Sequence, residues 1–381
     1  MNIVVLRETQ SGEARVALMP ESVRKLVALK ASVLVESDAG LKAASTDDSY
    51  EQAGAQVSTD RAALLAQADI LVAVNRPSAE DFAALKKGAV VIGFLRPLDE
   101  PAALEPALGR GLTAFAMELI PRITRAQAMD ALSSMATVAG YKAVIVAAER
   151  LPRMFPLLMT AAGTVPPAKV LVLGAGVAGL QAIATARRLG AVVEAYDVRA
   201  AAGEQVKSLG ANFLEVDLGG LKTEDAGGYA VELSEEALER GRQLIAKHAQ
   251  TSDVVITTAQ VPGRRAPLLL TEDGVNGMKP GTIIIDLAGA TGGNCALSKP
   301  DETVEVNGVT IMAPLNLPAT VPVHASQLYS RNVTSFLSLL IKDGALHLDM
   351  SDDVVGPSCV THAGECVNSR VAAALDLAPT N

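Results

Sequence analysis

Short apolar runs alternate along this chain with stretches in which apolar residues recur at helical spacing, a pattern that predicts βα units feeding a parallel sheet. In the first ~120 residues it predicts strands at 3–6, 32–36, 70–74, 90–94 and 112–116, with helices at 20–29, 47–53, 61–66, 79–87 and 102–108. The pattern then restarts. Val170 to Leu173 is apolar at every position, as expected of a strand covered by helices on both faces. A helix at 177–189, a strand closing on Asp197, a helix at 200–209 and a strand at 212–216 follow. Further strands are predicted at 253–258 and 282–287, and a pair at 304–306 and 309–312 around Asn307-Gly308. A helix at 324–342 and a strand-like 346–350 lead into a tail too short to be a domain, which returns to complete the N-terminal one.

Three connecting stretches break the alternation. In Pro121-Arg-Ile-Thr-Arg-Ala-Gln-Ala-Met-Asp, Thr124 and Gln127 have the spacing of a capping box, so a helix is predicted to start there, with Met129, Leu132 and Ala136 facing inward. Gly140 is predicted to break it, and a second helix to begin at Tyr141. Pro152, Pro156, Pro166 and Pro167 rule out a continuous helix from 151 to 170 and predict a rigid approach to the central strand. Residues 217–236 are rich in glycine and charge without periodicity. They are expected to form a functional lid anchored by Tyr229.

At 381 residues the chain has room for two domains. A mean hydropathy of +0.29 predicts apolar surface buried between subunits, which fits a homodimer. The net charge of −9 argues against nucleic acid or an anionic membrane as a direct partner. Cys295, Cys359 and Cys366 lack metal-ligand spacing and suit reduced thiols in a cytosol, so no metal is expected. The most apolar stretch, 170–186, is broken by three glycines and a glutamine, so it predicts strand-turn-helix and no direct membrane insertion. The chain enters a strand at once, which leaves no room for a signal peptide.

The candidate chemistry centres on Gly174, Gly176 and Gly179. The first glycine permits a tight turn, the second the approach of a pyrophosphate, and the third close packing of helix on strand. Strand, glycines, helix, second strand and terminal acid occur in the order that dinucleotide binding requires. Asp197 stands where a carboxylate accepts hydrogen bonds from an adenine ribose, which favours NAD(H) over NADP(H). Arg199 is expected to be an ordinary surface arginine. Val177 and Ala178 in the turn, Val198 and Arg199 beside Asp197, Tyr229 in the 217–236 stretch, and Thr258, Ala259, Gln260 and Leu287 at later strand ends complete the candidate cofactor set. The fold expected is α/β, two Rossmann-like doubly wound parallel-sheet domains with a cleft between them. An outer domain spans 1–125 plus 325–381 and an NAD(H)-binding domain spans 126–324. Arg15, Arg76 and Arg96 follow strands of the outer domain, where such folds place ligands. Arg15, flanked by apolar residues, is the strongest of the three, and the others suit solvated surface charges.

The chain resembles the NAD(H)-binding component of proton-translocating nicotinamide nucleotide transhydrogenases and, more distantly, alanine dehydrogenase. The resemblance covers nearly the whole chain. It is densest from Ala116-Met-Glu-Leu-Ile-Pro-Arg through Asp130-Ala-Leu-Ser-Ser, in Thr160-Ala-Ala-Gly-Thr-Val-Pro-Pro, and in Gly174-Ala-Gly-Val-Ala-Gly. It continues in Thr257-Thr-Ala-Gln-Val-Pro-Gly, Gly292-Gly-Asn-Cys and Ser326-Gln-Leu-Tyr. It implies that Arg122, Gln127 and Asp130 form an Arg-Gln-Asp loop, that Ser133 contacts a nicotinamide, and that Tyr229 belongs to a mobile loop. These four, Arg122, Gln127, Asp130 and Ser133, are the candidate catalytic residues. It implies a dimer, an NADP(H)-binding partner subunit, membrane-spanning proton-translocating subunits, and a cytoplasmic position peripheral to the inner membrane. Alanine dehydrogenases use a lysine, a histidine and an aspartate at or near the places of Asn75, Arg96 and Ala290. The substrate constellation is therefore reduced here to Arg15, although an alanine-type dehydrogenase stays the alternative.

Overall fold

A computed structural model describes residues 1–216, 234–261 and 263–375. They form two compact units, Met1–Met135 with Pro318–Asn381, and Ala136–Leu317. Tyr229 and most of the expected lid lie outside the described residues.

In the first unit, β1 (Asn2–Val5), β2 (Ser32–Glu36), β3 (Gln56–Ser58), β4 (Ile70–Asn75), β5 (Val90–Phe94) and β6 (Thr113–Ala116) form a parallel sheet ordered β3-β2-β1-β4-β5-β6. Ile3 to Val5, Ile70 to Val72 and Val90 to Ile92 are fully buried, because helices cover both faces. Those helices are α1 (Pro20–Ala28), α2 (Asp47–Glu51), α3 (Arg61–Gln67), α4 (Ala79–Ala84) and α5 (Glu105–Gly109). The tail does return to this unit: the strand Cys359–His362 lies antiparallel to β6. The strand expected at 346–350 shrinks to Ala345–Leu346, paired with Ile341–Lys342, where alternate positions have no core to face.

In the second unit, β7 (Lys169–Leu173), β8 (Val192–Tyr196), β9 (Asn212–Leu214), β10 (Val254–Thr257), β11 (Ile283–Asp286), β12 (Thr303–Val306) and β13 (Val309–Met312) are ordered β9-β8-β7-β10-β11-β13-β12. All pair in parallel except the β12–β13 hairpin, whose Asn307 and Gly308 take the left-handed φ values, 51° and 77°, that a tight hairpin turn needs. The helices are α6 (Ala131–Arg150), α7 (Val177–Arg188), α8 (Ala202–Ser208), α9 (Glu235–Ala249) and α10 (Glu272–Asn276). The unit boundary falls within α6.

The connecting stretches depart most from expectation. Thr124–Met129 is a 3-10 turn entered at Ile123 with no side-chain cap, so the Thr124–Gln127 capping box does not form. The helix starts at Ala131, and Asp130 caps it: its carboxylate accepts the backbone N–H of Ser133 at 2.8 Å. Met129 is buried, whereas Leu132 is exposed. Gly140 does not break the helix. A Cβ there would lie 2.1 Å from the carbonyl oxygen of Ala178, so the glycine is a point of close helix packing. The proline-rich approach contains an exposed hairpin, Leu158–Thr160 with Gly163–Val165. α6 is long and apolar enough to cross a membrane by length and composition, with a mean hydropathy of 1.4. Its Ala143, Val144 and Ala147 pack into the core of the second unit, which accounts for part of that apolarity.

Candidate functional site

In the second unit the strand order reverses between β7 and β10, which pair in parallel. Open α/β sheets bind ligands beyond the strand ends at such a point. Gly174 follows β7 and Thr258 follows β10. Gly174 has φ +98°, and a Cβ there would meet Thr258 Oγ1 at 2.6 Å. At Gly179 a Cβ would lie 1.8 Å from the Gly174 carbonyl oxygen, so both positions exclude any larger residue. Gly176 is different: among the described residues, its chain neighbours aside, no atom lies within 4 Å of where its Cβ would be, so they leave space above the turn. Gly176 is also the N-cap of α7 and supplies no side chain, which leaves the N–H groups of the first turn for an anion. Val177 beside it is exposed.

Asp197 follows β8 and is already engaged. Its Oδ2 accepts Ala175 N–H at 2.7 Å and its Oδ1 accepts Arg199 N–H at 2.8 Å. The Arg199 guanidinium closes on both oxygens, from Nε at 2.9 Å and a terminal nitrogen at 2.8 Å. Arg199 is therefore not an ordinary surface arginine but the bidentate partner of the candidate ribose acceptor. Thr258 donates its hydroxyl to the Gly174 carbonyl at 3.0 Å, and Gln260 donates to the Leu287 carbonyl at 2.6 Å. The fold thus gathers Gly174, Gly176, Gly179, Asp197, Arg199, Thr258, Ala259, Gln260 and Leu287 on the strand ends of one sheet.

In the first unit the order reverses between β1 and β4, and charged groups are buried there. Arg15 is 6% exposed and bonds both oxygens of Glu13, at 2.8 and 2.6 Å. Burial alone would raise the Glu13 carboxyl, but the hydrogen bonds and charge of Arg15 bring it down to about 2. Asn75 donates to Glu13 at 2.9 Å and to Glu8 at 3.2 Å. Glu8 has no ion pair among the described residues, and burial pushes it up to about 7. Arg76 pairs with Glu100 at 2.6 Å, as does Arg96 at 3.0 Å. Burial also raises Glu118 to about 7; one of its oxygens accepts Arg96 N–H and the other is buried with no partner among the described residues.

Arg122 and Gln127 lie exposed in the segment before α6, while Asp130 and Ser133 are half-buried. Asp130 accepts the Ser133 hydroxyl at 2.6 Å as well as its N–H. Two braces hold this segment. Asn332, on the helix Pro322–Leu340, donates to the Ala128 carbonyl at 2.9 Å, and Arg125 bonds Asp352 at 2.6 Å and also Asp353. Arg125 holds the Asp352 carboxyl down at about 2. These four candidates belong to the first unit and the glycine turn to the second. Asn332, Arg125 and Asp352 were not singled out from sequence, because their partners are distant in the chain. Asn294 lies in Gly292-Gly-Asn-Cys, which gave it no role of its own, and Asp286 was legible only as the end of a predicted strand.

Residues 4–139 match the model of the alanine dehydrogenase/PNT N-terminal domain and residues 143–369 that of its C-terminal domain. The chain belongs to the alanine dehydrogenase/PNT family. It is 48% identical to an NAD(P) transhydrogenase subunit alpha polypeptide of Rhodospirillum rubrum over 376 residues, covering 97% of this chain and 98% of that one. The crystal structure of transhydrogenase from Sinorhizobium meliloti superposes with a TM-score of 0.88 at 46% identity, over 96% of this chain and all of that one. An L-alanine dehydrogenase structure superposes with a TM-score of 0.85 at 28% identity, over 99% of this chain and all of that one. This kinship supports an oxidoreductase component of an NAD(P) transhydrogenase with Rossmann-like units and a nicotinamide nucleotide as its cofactor. Of the residues expected of an alanine dehydrogenase, this chain keeps Arg15 but has it locked to Glu13.

Proposed function

We propose that this chain binds NAD(H) at the Gly174–Gly179 turn. We propose further that it exchanges hydride with NADP(H) held by a partner subunit, as the NAD(H)-binding component of a proton-translocating, Re/Si-specific NAD(P)+ transhydrogenase. The residues fit the cofactor. Open space over Gly176 and the N–H groups of α7 suit a pyrophosphate, and Asp197 suits ribose hydroxyls. When bound, the nicotinamide supplies or accepts the hydride at its C4, with no proton to add or remove at the reacting atoms. What remains for the protein is to hold and orient two rings. Arg122, Asp130 and Ser133 orient the nicotinamide of this chain's own NAD(H), and Gln127 faces the partner's nucleotide. Asp130 can do so only from a fixed position, which its two bonds to Ser133 provide.

One observation favours this over amino-acid oxidation. At the strand ends of the first unit Arg15 is neutralised by Glu13, and Asn75 serves two carboxylates. Binding a substrate carboxylate there requires a free cation, and reducing an imino acid requires proton management at nitrogen. The whole-length likeness to L-alanine dehydrogenase keeps that activity as the second reading. In the first reading the chain works as a homodimer, on the cytoplasmic side of the inner membrane, beside membrane-spanning subunits that move the protons.

The test mixes this protein with a membrane-free NADP(H)-binding transhydrogenase component and follows hydride exchange with a nicotinamide analogue. Exchange that requires both proteins is the expected result. Steady oxidation of NADH by pyruvate and ammonia without a partner would replace this reading with the second. Tight NADH binding without transfer would leave a non-catalytic nucleotide-binding module.

A further inference from the structure

We propose that Asp286 and Asn294 are positioning residues for the NAD(H) site, acting through the backbone of Thr258 and Ala259 on the glycine turn. The inference rests on the reading that the second unit binds NAD(H).

Asp286 ends β11 and is fully buried. A buried carboxylate is tolerated when donors surround it. Here Oδ1 accepts the Thr257 hydroxyl at 2.8 Å and Ala288 N–H at 2.9 Å. Oδ2 accepts Asn294 N–H at 2.9 Å, Cys295 N–H at 3.1 Å and the Ser298 hydroxyl at 2.6 Å. The loop from Ala288 to Ser298 is thus wound around one carboxylate. Gly293 makes this possible: its φ is +78°, and a Cβ would lie 2.8 Å from Oδ2. This gives the Gly292-Gly-Asn-Cys motif a physical task.

The product of that winding is the placement of Asn294, which is also fully buried. Its Oδ1 accepts Ala259 N–H at 3.0 Å, and its Nδ2 donates to the Ala259 carbonyl at 2.9 Å and to the Pro267 carbonyl at 2.8 Å. The carboxamide holds both backbone groups of Ala259, as a paired strand would. Only a side chain with donor and acceptor on one carbon can do this. Ala259 N in turn lies 3.1 Å from where a Gly174 Cβ would sit, and Thr258 bonds the Gly174 carbonyl. A displacement at Ala259 therefore reaches the turn above which the pyrophosphate binds.

A role confined to loop stability predicts a different outcome from a positioning role. NADH affinity is measured by calorimetry on the full chain, well below each variant's melting temperature, for Asn294→Asp, Ser298→Ala and Ile245→Ala. Asn294→Asp loses the donor to Ala259, and Ser298→Ala removes one donor from Asp286 and is the milder change. Ile245→Ala is the control: it opens a cavity in the same unit, in α9, at a side chain that makes none of these hydrogen bonds. The expected result is NADH binding weakened ~10-fold by Asn294→Asp and about 3-fold by Ser298→Ala, with wild-type affinity in Ile245→Ala despite its lower melting temperature. Should Asn294→Asp fail to fold, Ser298→Ala decides. Lowered melting temperatures with wild-type NADH affinity in both variants would overturn the inference and leave the cofactor reading standing. A wild-type chain that binds no NADH would overturn both.

Discussion

Asp197 meets its proposed ligand with every acceptor position in use. Two backbone N–H groups and both ends of the Arg199 fork already bond its carboxylate. Ribose hydroxyls must displace the guanidinium, and they gain bonds to a charged acceptor worth roughly 1.5–3 kcal/mol each. Asp197→Asn is therefore expected to weaken NADH binding by on the order of 10- to 100-fold in equilibrium titration, and unchanged affinity would mean that the ribose is held elsewhere. The buried Glu13–Arg15 pair gives a second residue-scale prediction. Glu13 titrates at about 2 instead of 4.5, so its contribution is complete above pH 4.5 and is lost as pH falls toward 2. The size is about 3 kcal/mol. Glu13→Gln should flatten that stretch of the acid limb in urea unfolding, and should cost roughly 3–5 kcal/mol at neutral pH because Arg15 is left buried and unpaired. A wild-type slope between pH 4.5 and 2 in the variant would sink the assignment. Both cases show what residue types reveal and what they hide. The acid after β8 and the arginine in an apolar setting were legible. That each bonds a neighbour two positions away was not, because sequence spacing does not say which way two side chains turn.

At the scale of elements, the strands buried on both faces were the most legible, since a parallel strand between helices is apolar at every position. β2 and β5 fall on the expected residues, and β1, β4, β7 and β10 within a residue or so of them. Polar or solvent-facing pieces such as Gln56–Ser58 and the 158–165 hairpin carried no such signal. Within α6 the sequence misleads. A glycine in the middle of a helical pattern costs stability relative to alanine, which argued for a break. Tertiary packing reverses the argument, because Gly140 abuts the Ala178 backbone inside the glycine turn. Gly140→Ala therefore sets a gain of about 1 kcal/mol in helix propensity against overpacking of about 1–3 kcal/mol or more. Overpacking should win, since the opposing atom is a backbone oxygen that cannot rotate away. Thermal melting should show a loss of stability, and NADH affinity should fall with it because Ala178 moves. A more stable variant with intact NADH binding would show that the two helices can separate at no cost.

At the scale of the whole molecule, two sheets that share the order 3-2-1-4-5 over their first five strands, each with its reversal between first and fourth strands, follow from a pattern that ran twice along the sequence. The C-terminal strand beside β6 was anticipated only as a return of the tail, because pairing between distant segments leaves no local trace. The proposed reaction also belongs to this scale, since half of its active site is carried by another chain. Gln127 tests it best. The capping box that offered a purely local role does not form, and the side chain is exposed on a 3-10 turn. That turn is braced by Asn332 on Ala128 and by Arg125 on Asp352, and among the described residues the Gln127 side chain has no hydrogen bond of its own. Gln127→Asn shortens the reach by one carbon and keeps the amide. Melting temperature and NADH affinity should stay at wild-type values. Single-turnover transfer to NADP bound on the partner should slow, by up to ~100-fold if one ring is misplaced by ~1 Å. Arg122 and Asp130 should behave differently, altering NADH binding and transfer together, since they act on this chain's own nucleotide. Transfer at the wild-type rate in Gln127→Asn, with the fold intact, would remove Gln127 from the reaction and leave the partner's nucleotide to be met by other residues.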